Sequence, residues 1–285
     1  MSWIKFRDVS TASLANVAVM KMPSHKKAAR RMTEFYVDGR DGALHIDNGM
    51  ADIEEEAVLV LLDAGAKTRQ VVNAWADGTG KLITSDDPSL AYKATVIQEI
   101  IWTRTVAASY IEEFLATKAY SAGDYVKHSG SVYEFKVNHA AGAWNASQVD
   151  ERPWLVKGVF DTAKIRFTCN PYMYEAVDSQ VTFNASGALT NPGSAEAYPL
   201  IQVNGSGDVS FSINGLSIEI DDMSSNVPVY IDCENGYVYT ASGASTITAD
   251  DFPVIPLPTT QNPTCPVVLG TGITSLVITP HWRWV

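Results

Sequence analysis

The sequence predicts a mostly β protein in three parts: an N-terminal α+β domain with one helix, a small β insert, and a C-terminal antiparallel β-sandwich. Three observations predict it. Past Tyr174, short runs rich in Val, Ile, Phe and Tyr are separated by Gly, Asn, Ser and Pro, and helix formers thin out. Before that point the best helical pattern is Ala66 to Asp77. Between Thr105 and Phe160 an aromatic-dense stretch separates two strands that read as halves of one hairpin. The boundaries drawn from these are 1–107 with 158–174, then 108–157 for the insert, then 175–285 for the sandwich.

The elements follow in order. Lys21 to Arg31 is basic, with Pro23 near its start, and reads as a solvated loop or hairpin arm. Gly39-Arg40-Asp41-Gly42 is a turn, Ala43 to Asp47 a short strand, and Asn48-Gly49 a second turn. Glu54-Glu55-Glu56 leads into Ala57 to Leu62, which suits a buried strand, although periodicity alone leaves helix open. On the helix, Val71, Val72 and Trp75 form the apolar face, and Gly78 stands where a left-handed C-cap is expected. Lys81 to Thr84 is a strand, Asp86-Asp87-Pro88 a turn, and Tyr92 to Thr105 one long β-branched strand. Ser109 to Leu115 is an acidic linker or short helix, and Phe160 to Thr168 resumes a strand that pairs with the one ending near Thr105. In the last part the strands centre on 180–183, 200–203, 209–213, 216–220, 229–232, 237–239 and 276–279, with Asn214-Gly215 a hairpin turn.

Composition narrows the function. The 285 residues suffice for two ordinary domains or one large one, and 46% hydrophobic with 19% charged is a globular balance. No apolar run is long enough to cross a bilayer, and Met1 to Phe6 lacks the pattern of a secretion signal, so production in a cytoplasm is expected. Without that signal, the N-x-S sequons at Asn145, Asn184 and Asn204 carry no meaning. A net charge of −11 argues against specific nucleic-acid binding, while an acidic wall would let a polyanion slide past. Cys169, Cys233 and Cys265 are odd in number and far apart, and read as small buried side chains.

No catalytic or cofactor motif stands out. Gly78-Thr79-Gly80-Lys81 fails as a phosphate loop, because Leu82 stands where a magnesium-binding hydroxyl belongs and Trp75 where the first glycine belongs. Ser24-His25-Lys26-Lys27 fits S-x-x-K at a length where chance is the default. The five histidines are scattered, so no metal site is expected. The carboxylate pairs Asp86/Asp87, Asp221/Asp222 and Asp250/Asp251 sit in turns, where adjacent residues rarely converge on one bond.

The insert carries more information. Tyr125 and Val126 precede a turn at Ser129-Gly130, and Val132 to Val137 alternate beyond it. This predicts two or three short strands, with Tyr133, Phe135 and Val137 on the buried face and Val132, Glu134 and Lys136 opposite. Tyr133 and Trp154 are expected in the core. Trp144, in a loop beside Gly142, and Tyr125, out of phase with Val126, are expected at the surface. Exposed aromatics would offer flat platforms to sugar rings.

The order of these residues is similar to the small chitin-binding-type carbohydrate-binding modules of glycosidases and phage tail proteins. It runs Tyr120, Gly123-Asp124, Val126, Gly130, Val132-Tyr133, then Gly142-Ala143-Trp144-Asn145 and Trp154. The family's upstream Trp is replaced by Ala116-Thr117-Lys118-Ala119. The resemblance implies sugar contact through Trp144, Tyr125 and Tyr120.

Four further strings resemble the distal tail protein of long-tailed phages: Gly39 to Leu44, Gly80 to Pro88, Ile165 to Tyr172, and Ile278 to Val285. That resemblance implies a hexameric ring at the tail tip, formed by the N-terminal domain. A galectin-like sandwich would lie outside it. The ring joins the tail tube protein to the tail-tip fibre protein and surrounds the DNA passage, with no catalytic residue and no cofactor. Two other classes stay open: an adhesin working mainly through the insert and, less favoured, a cell-wall hydrolase.

Overall fold

The computed structural model describes residues 2–62, 66–106, 111–152, 159–225, 227–241, 243–244 and 251–285. Part of the 109–115 linker, Trp154 and Asp250 lie outside the described residues. The chain begins with β1 (Ile4–Phe6), β2 (Val9–Ser10) and β3 (Val17–Lys21), then β4 (Arg30–Tyr36), β5 (Ala43–Met50) and β6 (Ile53–Leu61). Helix α1 (Ala66–Trp75) leads to β7 (Gly78–Thr84), β8 (Leu90–Val96) and β9 (Ile101–Val106). The insert holds β10 (Tyr125–His128), β11 (Ser131–Phe135) and β12 (Val149–Glu151), and β13 (Val159–Glu175) follows. Next come β14 (Val181–Phe183), β15 (Gly187–Leu189), β16 (Leu200–Gly205), β17 (Gly207–Ile213) and β18 (Leu216–Met223). The last are β19 (Val229–Asp232), β20 (Tyr237–Thr240), β21 (Gly243–Ala244), β22 (Cys265–Leu269), β23 (Ile273–Thr279) and β24 (Arg283–Trp284). The mostly β class read from the sequence is what the chain adopts.

Two compact units result. The first comprises Met1–Lys26, Asp52–Asp87 and Ala94–Cys169, the second Lys27–Ala51, Pro88–Lys93 and Asn170–Val285.

In the first unit the strand order is β2-β1-β7-β8-β13-β6-β3, with β9 also on β13. The expected pairing of the resumed strand is present: Phe160 lies opposite Thr105 and Ala163 opposite Trp102. On the other edge β13 runs antiparallel to β6, from Asp161 opposite Leu61 to Cys169 opposite Ile53. The single strand expected from Tyr92 to Thr105 is instead two, β8 and β9, interrupted at Ile97–Ile100 with Ile97 70% exposed. No Gly or Pro marks that break, so propensity could not place it.

Helix α1 buries Thr68, Val72 and Trp75, spaced at i, i+4 and i+7, while Val71 is exposed. The expected Val71 contact fails because one residue's advance turns a side chain about 100° off the buried stripe. Trp75 meets Phe167 and Phe6 edge-on at 6.4 and 6.1 Å and donates its indole N–H to the Val9 carbonyl at 2.8 Å. Gly78 has φ +84° and opens β7 just after the helix.

Two buried carboxylates tie this unit together. Alternation in β6 turns Glu55 inward, where it accepts from the backbone N–H and hydroxyl of Ser24 and the N–H of Lys26 at 2.7, 3.1 and 2.5 Å. Asp161 accepts from Arg69 of α1 and Arg104 of β9 at 2.5 and 2.9 Å. Removing either carboxylate would leave donors without a partner.

In the second unit, β4 and β5 form a two-stranded hairpin. The basic stretch Lys21 to Arg31 is for the most part the loop that precedes it, over 22–29, and only Arg30 and Arg31 enter β4. Asn48-Gly49 is not a turn but a bulge in β5. The register slips between Arg30 and Met32, and Gly49 takes the extra residue at φ +84°. The rest is a sandwich of a six-stranded sheet, β14-β23-β16-β19-β20-β21, and a four-stranded sheet, β15-β22-β17-β18. Ile201, Val203, Ile231, Leu276 and Ile278 of the first and Phe211, Ile213, Ile220 and Val267 of the second share one core. Asn214 and Gly215 have φ +52° and +81°, the conformation of the two-residue hairpin turn that the sequence predicts.

The third and fourth tail-like strings meet here. Met173 and Tyr174 pair with Trp284 and Arg283, and the Arg283 guanidinium lies between the rings of Tyr172 and Tyr198 at 4.4 and 4.3 Å. Trp282 joins the sandwich core.

Candidate functional site

The insert is a three-stranded antiparallel sheet, β10-β11-β12. Ser129 and Gly130, at φ +51° and +84°, make the turn that the sequence predicts. Val126 lies opposite Tyr133, and Phe135 opposite Val149, so these four share a face. Over that face Tyr120, Val126, Phe135 and Val149 form the core, with Phe114, Tyr133 and Trp144 packed against them.

Tyr120 is not a surface residue, which corrects its assignment as a sugar contact. It is 3% exposed, its ring is stacked on Phe135 at 4.9 Å, and its hydroxyl accepts from the Leu115 N–H at 2.9 Å. Its backbone exchanges two hydrogen bonds with His139, just beyond β11. His139 stacks on Phe135 at 5.2 Å and donates Nδ1–H to Gln148 at 2.6 Å. In so small a fold a large aromatic such as Tyr120 goes to the core, because little else can be buried.

Trp144 is half-buried. One ring face stacks on His128 at 4.1 Å, and Tyr133 and Phe114 meet it edge-on at 4.8 and 5.1 Å. Asn145 fixes the following 3-10 turn, Ala146–Gln148, by accepting from the Ser147 N–H at 3.0 Å and the Ser147 hydroxyl at 2.7 Å. Trp144, on a pinned loop, thus forms one partly open aromatic cluster with His128 of β10 and Tyr133 of β11. The sequence reading missed His128 and assigned Tyr133 wholly to the core. The signal for the loop was present, since Asn145-x-Ser147 is a capping pattern as well as a sequon.

Tyr125 lies on the other face. It is 42% exposed and opposite Glu134, which accepts from Arg152 at 2.8 Å. Burial and then the Glu134 carboxylate push the Tyr125 phenol up. Lys136 and Asp150 pair at 3.2 Å on this charged face. Val132 points away from the aromatic core as expected, yet is itself buried. Val137, expected inside, is exposed because β11 ends at Phe135 and alternation stops there.

The other candidates have ordinary roles. Asp86 pairs with the His25 ring at 3.1 Å. The three cysteines are free and buried, and burial pushes the Cys169 and Cys233 thiols up to about 12. Among the described residues no His, Cys, Asp and Glu cluster could hold a metal ion, and no helix is long and apolar enough to cross a membrane.

Comparison with known proteins matches the insert and the whole fold separately. Residues 113–155 match the family model described as Carbohydrate-binding module family 5/12. No curated protein matches the chain. The structure of the phage P2 baseplate in its activated conformation with Ca aligns over 98% of this chain and 97% of that one, at 7% identity and a TM-score of 0.42. The crystal structure of SPP1 Dit, described as a paradigm of hub adsorption apparatus in Gram-positive infecting phages, aligns over 100% of both chains with a TM-score of 0.62 and 12% identity. The chain therefore has the fold of SPP1 Dit along its whole length, with a stretch matching a carbohydrate-binding module between β9 and β13.

Proposed function

We propose that this protein is the structural hub of a phage tail tip. It forms a hexameric ring that joins the tail tube protein to the tail-tip fibre protein and lets DNA pass. It is made in the host cytoplasm, resides at the tail tip, and has no enzymatic role. The observation that carries the reading is the end-to-end likeness to a hub protein's fold, with the module match set inside it.

Physical chemistry supports ring closure through the β4–β5 arm. A lone two-stranded hairpin is marginal in water. This one exposes Met32, Phe35, Tyr36, Leu44 and Ile46, with Tyr36 at 79%. Such a surface is stabilised when a neighbouring copy covers it, and cyclic closure uses the same contact at every subunit. The net charge of −11 suits a wall that DNA must pass without sticking.

The module adds weak binding to a host cell-surface polysaccharide, centred on Trp144. Several copies on one ring raise avidity by about 10²–10⁴ where geometry allows joint contact. Light scattering on the wild-type protein, alone and with its tip partner, should give a multiple of the chain mass. The arm double variant Phe35→Asp/Ile46→Asp should remain folded and scatter as a monomer. A wild-type monomer under both conditions contradicts the hub role and leaves the adhesin reading, which the module match favours.

A further inference from the structure

The second unit carries, on the outer face of its six-stranded sheet, a surface distinct from the β4–β5 arm and from the module. In β19, Val229 and Ile231 are buried, so Tyr230 and Asp232 face outward. Tyr239 lies opposite Tyr230 on β20, and the two rings stack at 5.2 Å and 13°. Tyr237, on the same face of β20, is 65% exposed.

Across the sheet the row continues. Gln202 of β16 lies opposite Tyr230, and Asn204 lies opposite Ser275 of β23. These side chains are held in a chain of hydrogen bonds: Gln202 donates to Asn204 at 3.1 Å, and Asn204 donates to Ser275 at 3.0 Å. An amide offers about four hydrogen-bonding positions, and this chain occupies two of those on Asn204. Beside Asn204 the sheet opens into a recess of about 240 Å³, with Ser206, Ser225, Val227, Pro228 and Thr274 in its lining. Among the described residues no acidic or basic one lines it.

We infer that this face, from the Tyr230–Tyr239 stack to the recess at Asn204, binds an uncharged glycan. A sugar ring presents an apolar C–H face and a rim of hydroxyls. The tyrosines supply flat rings for the first, and the pre-set amide and hydroxyl network supplies partners for the second. The uncharged lining offers nothing to balance a carboxylate or phosphate, and the acidic chain repels polyanions. The recess is smaller than the roughly 300–1,000 Å³ of drug-sized pockets, which suits one sugar ring with its neighbours resting on the tyrosines. The site shares no residue with the module, so its failure would leave the hub and module readings untouched.

The test uses the full chain carrying Trp144→Ala, which silences the module's aromatic cluster. The probes are lactose, maltotetraose and tetra-N-acetylchitotetraose, with polyglycerol phosphate as the anionic probe. Binding is read by saturation-transfer NMR and calorimetry. At least one neutral oligosaccharide should bind, and adding Tyr230→Ala/Tyr239→Ala should weaken it at least about tenfold. Asn204→Ala should weaken it too without touching the ring stack, which keeps the test valid if the tyrosine variant misfolds. The proposal is overturned if no neutral probe binds, if only polyglycerol phosphate binds, or if binding ignores these substitutions. Ring disassembly in a folded Tyr230→Ala/Tyr239→Ala variant, with no glycan bound by its parent, would assign the face to a subunit contact instead.

Discussion

Tyr125 and Trp144 lie on opposite faces of the insert's sheet. Val126, the neighbour of Tyr125, pairs with Tyr133, whose ring meets Trp144 at 4.8 Å, while Tyr125 itself faces Glu134 and Arg152. One sugar chain lying on one face cannot use both. Trp144→Ala should therefore cost about 1–2 kcal/mol in binding of the full-length protein to purified host cell walls, as aromatic anchors do. Tyr125→Ala should leave binding within error. Equal losses from the two would refute the assignment of the site to the Trp144 face.

Tyr120→Ala should unfold the insert and spare the rest. The ring is buried against both Phe135 and Phe114, and large-to-small changes at such sites cost about 3–5 kcal/mol. Limited proteolysis should then cut within 113–152 at native conditions. Retention of the wild-type cleavage pattern would show that Tyr120 is dispensable to the core.

The first unit should lose stability in acid through Asp161. The Arg104 guanidinium, and then that of Arg69, hold this carboxyl below the ordinary aspartate range, against the opposing effect of burial. A depressed folded-state value contributes stability that is complete above the unfolded value and lost as pH falls through the folded one. Asp161→Asn should cost about 1–3 kcal/mol at neutral pH, in the range of hydrogen bonds to charged groups. The gap to wild type should narrow as pH falls through that range. Urea melts across pH check this, and a gap that is constant or widens in acid contradicts it.

Cys169, Cys233 and Cys265 should be unreactive in the folded protein. Burial holds the Cys169 and Cys233 thiols near 12, so almost no thiolate exists at neutral pH. A thiol-reactive chromophore should titrate none of them at pH 8 and all of them in denaturant. Rapid labelling of the native protein would show that the sites open.

What was legible in the sequence was local. Asn214-Gly215 and Ser129-Gly130 announce hairpins because left-handed turn residues act over two positions. Seven strands of the sandwich were readable because β-branched runs alternate between turn residues, whereas β15, β21 and β22, short or carrying Gly or Pro, were not. What depended on distant partners was not readable. Tyr120 goes inside because His139 closes on it, Val137 comes outside because β11 ends at Phe135, and Asn48-Gly49 becomes a bulge because Arg31 lies across from it. Arg283 looked like one basic residue in a short string until Tyr172 and Tyr198 closed on both its faces. The Trp144 cluster was half visible: the tryptophan could be named, but the stacked His128 comes from the neighbouring strand.

The central claim is that this chain closes into a ring, and negative-stain electron microscopy of the purified protein, alone and with its tip partner, tests it most directly. The account predicts closed rings with a central opening, and their disappearance in the Phe35→Asp/Ile46→Asp arm variant. A field of single particles without an opening in both wild-type preparations would contradict it.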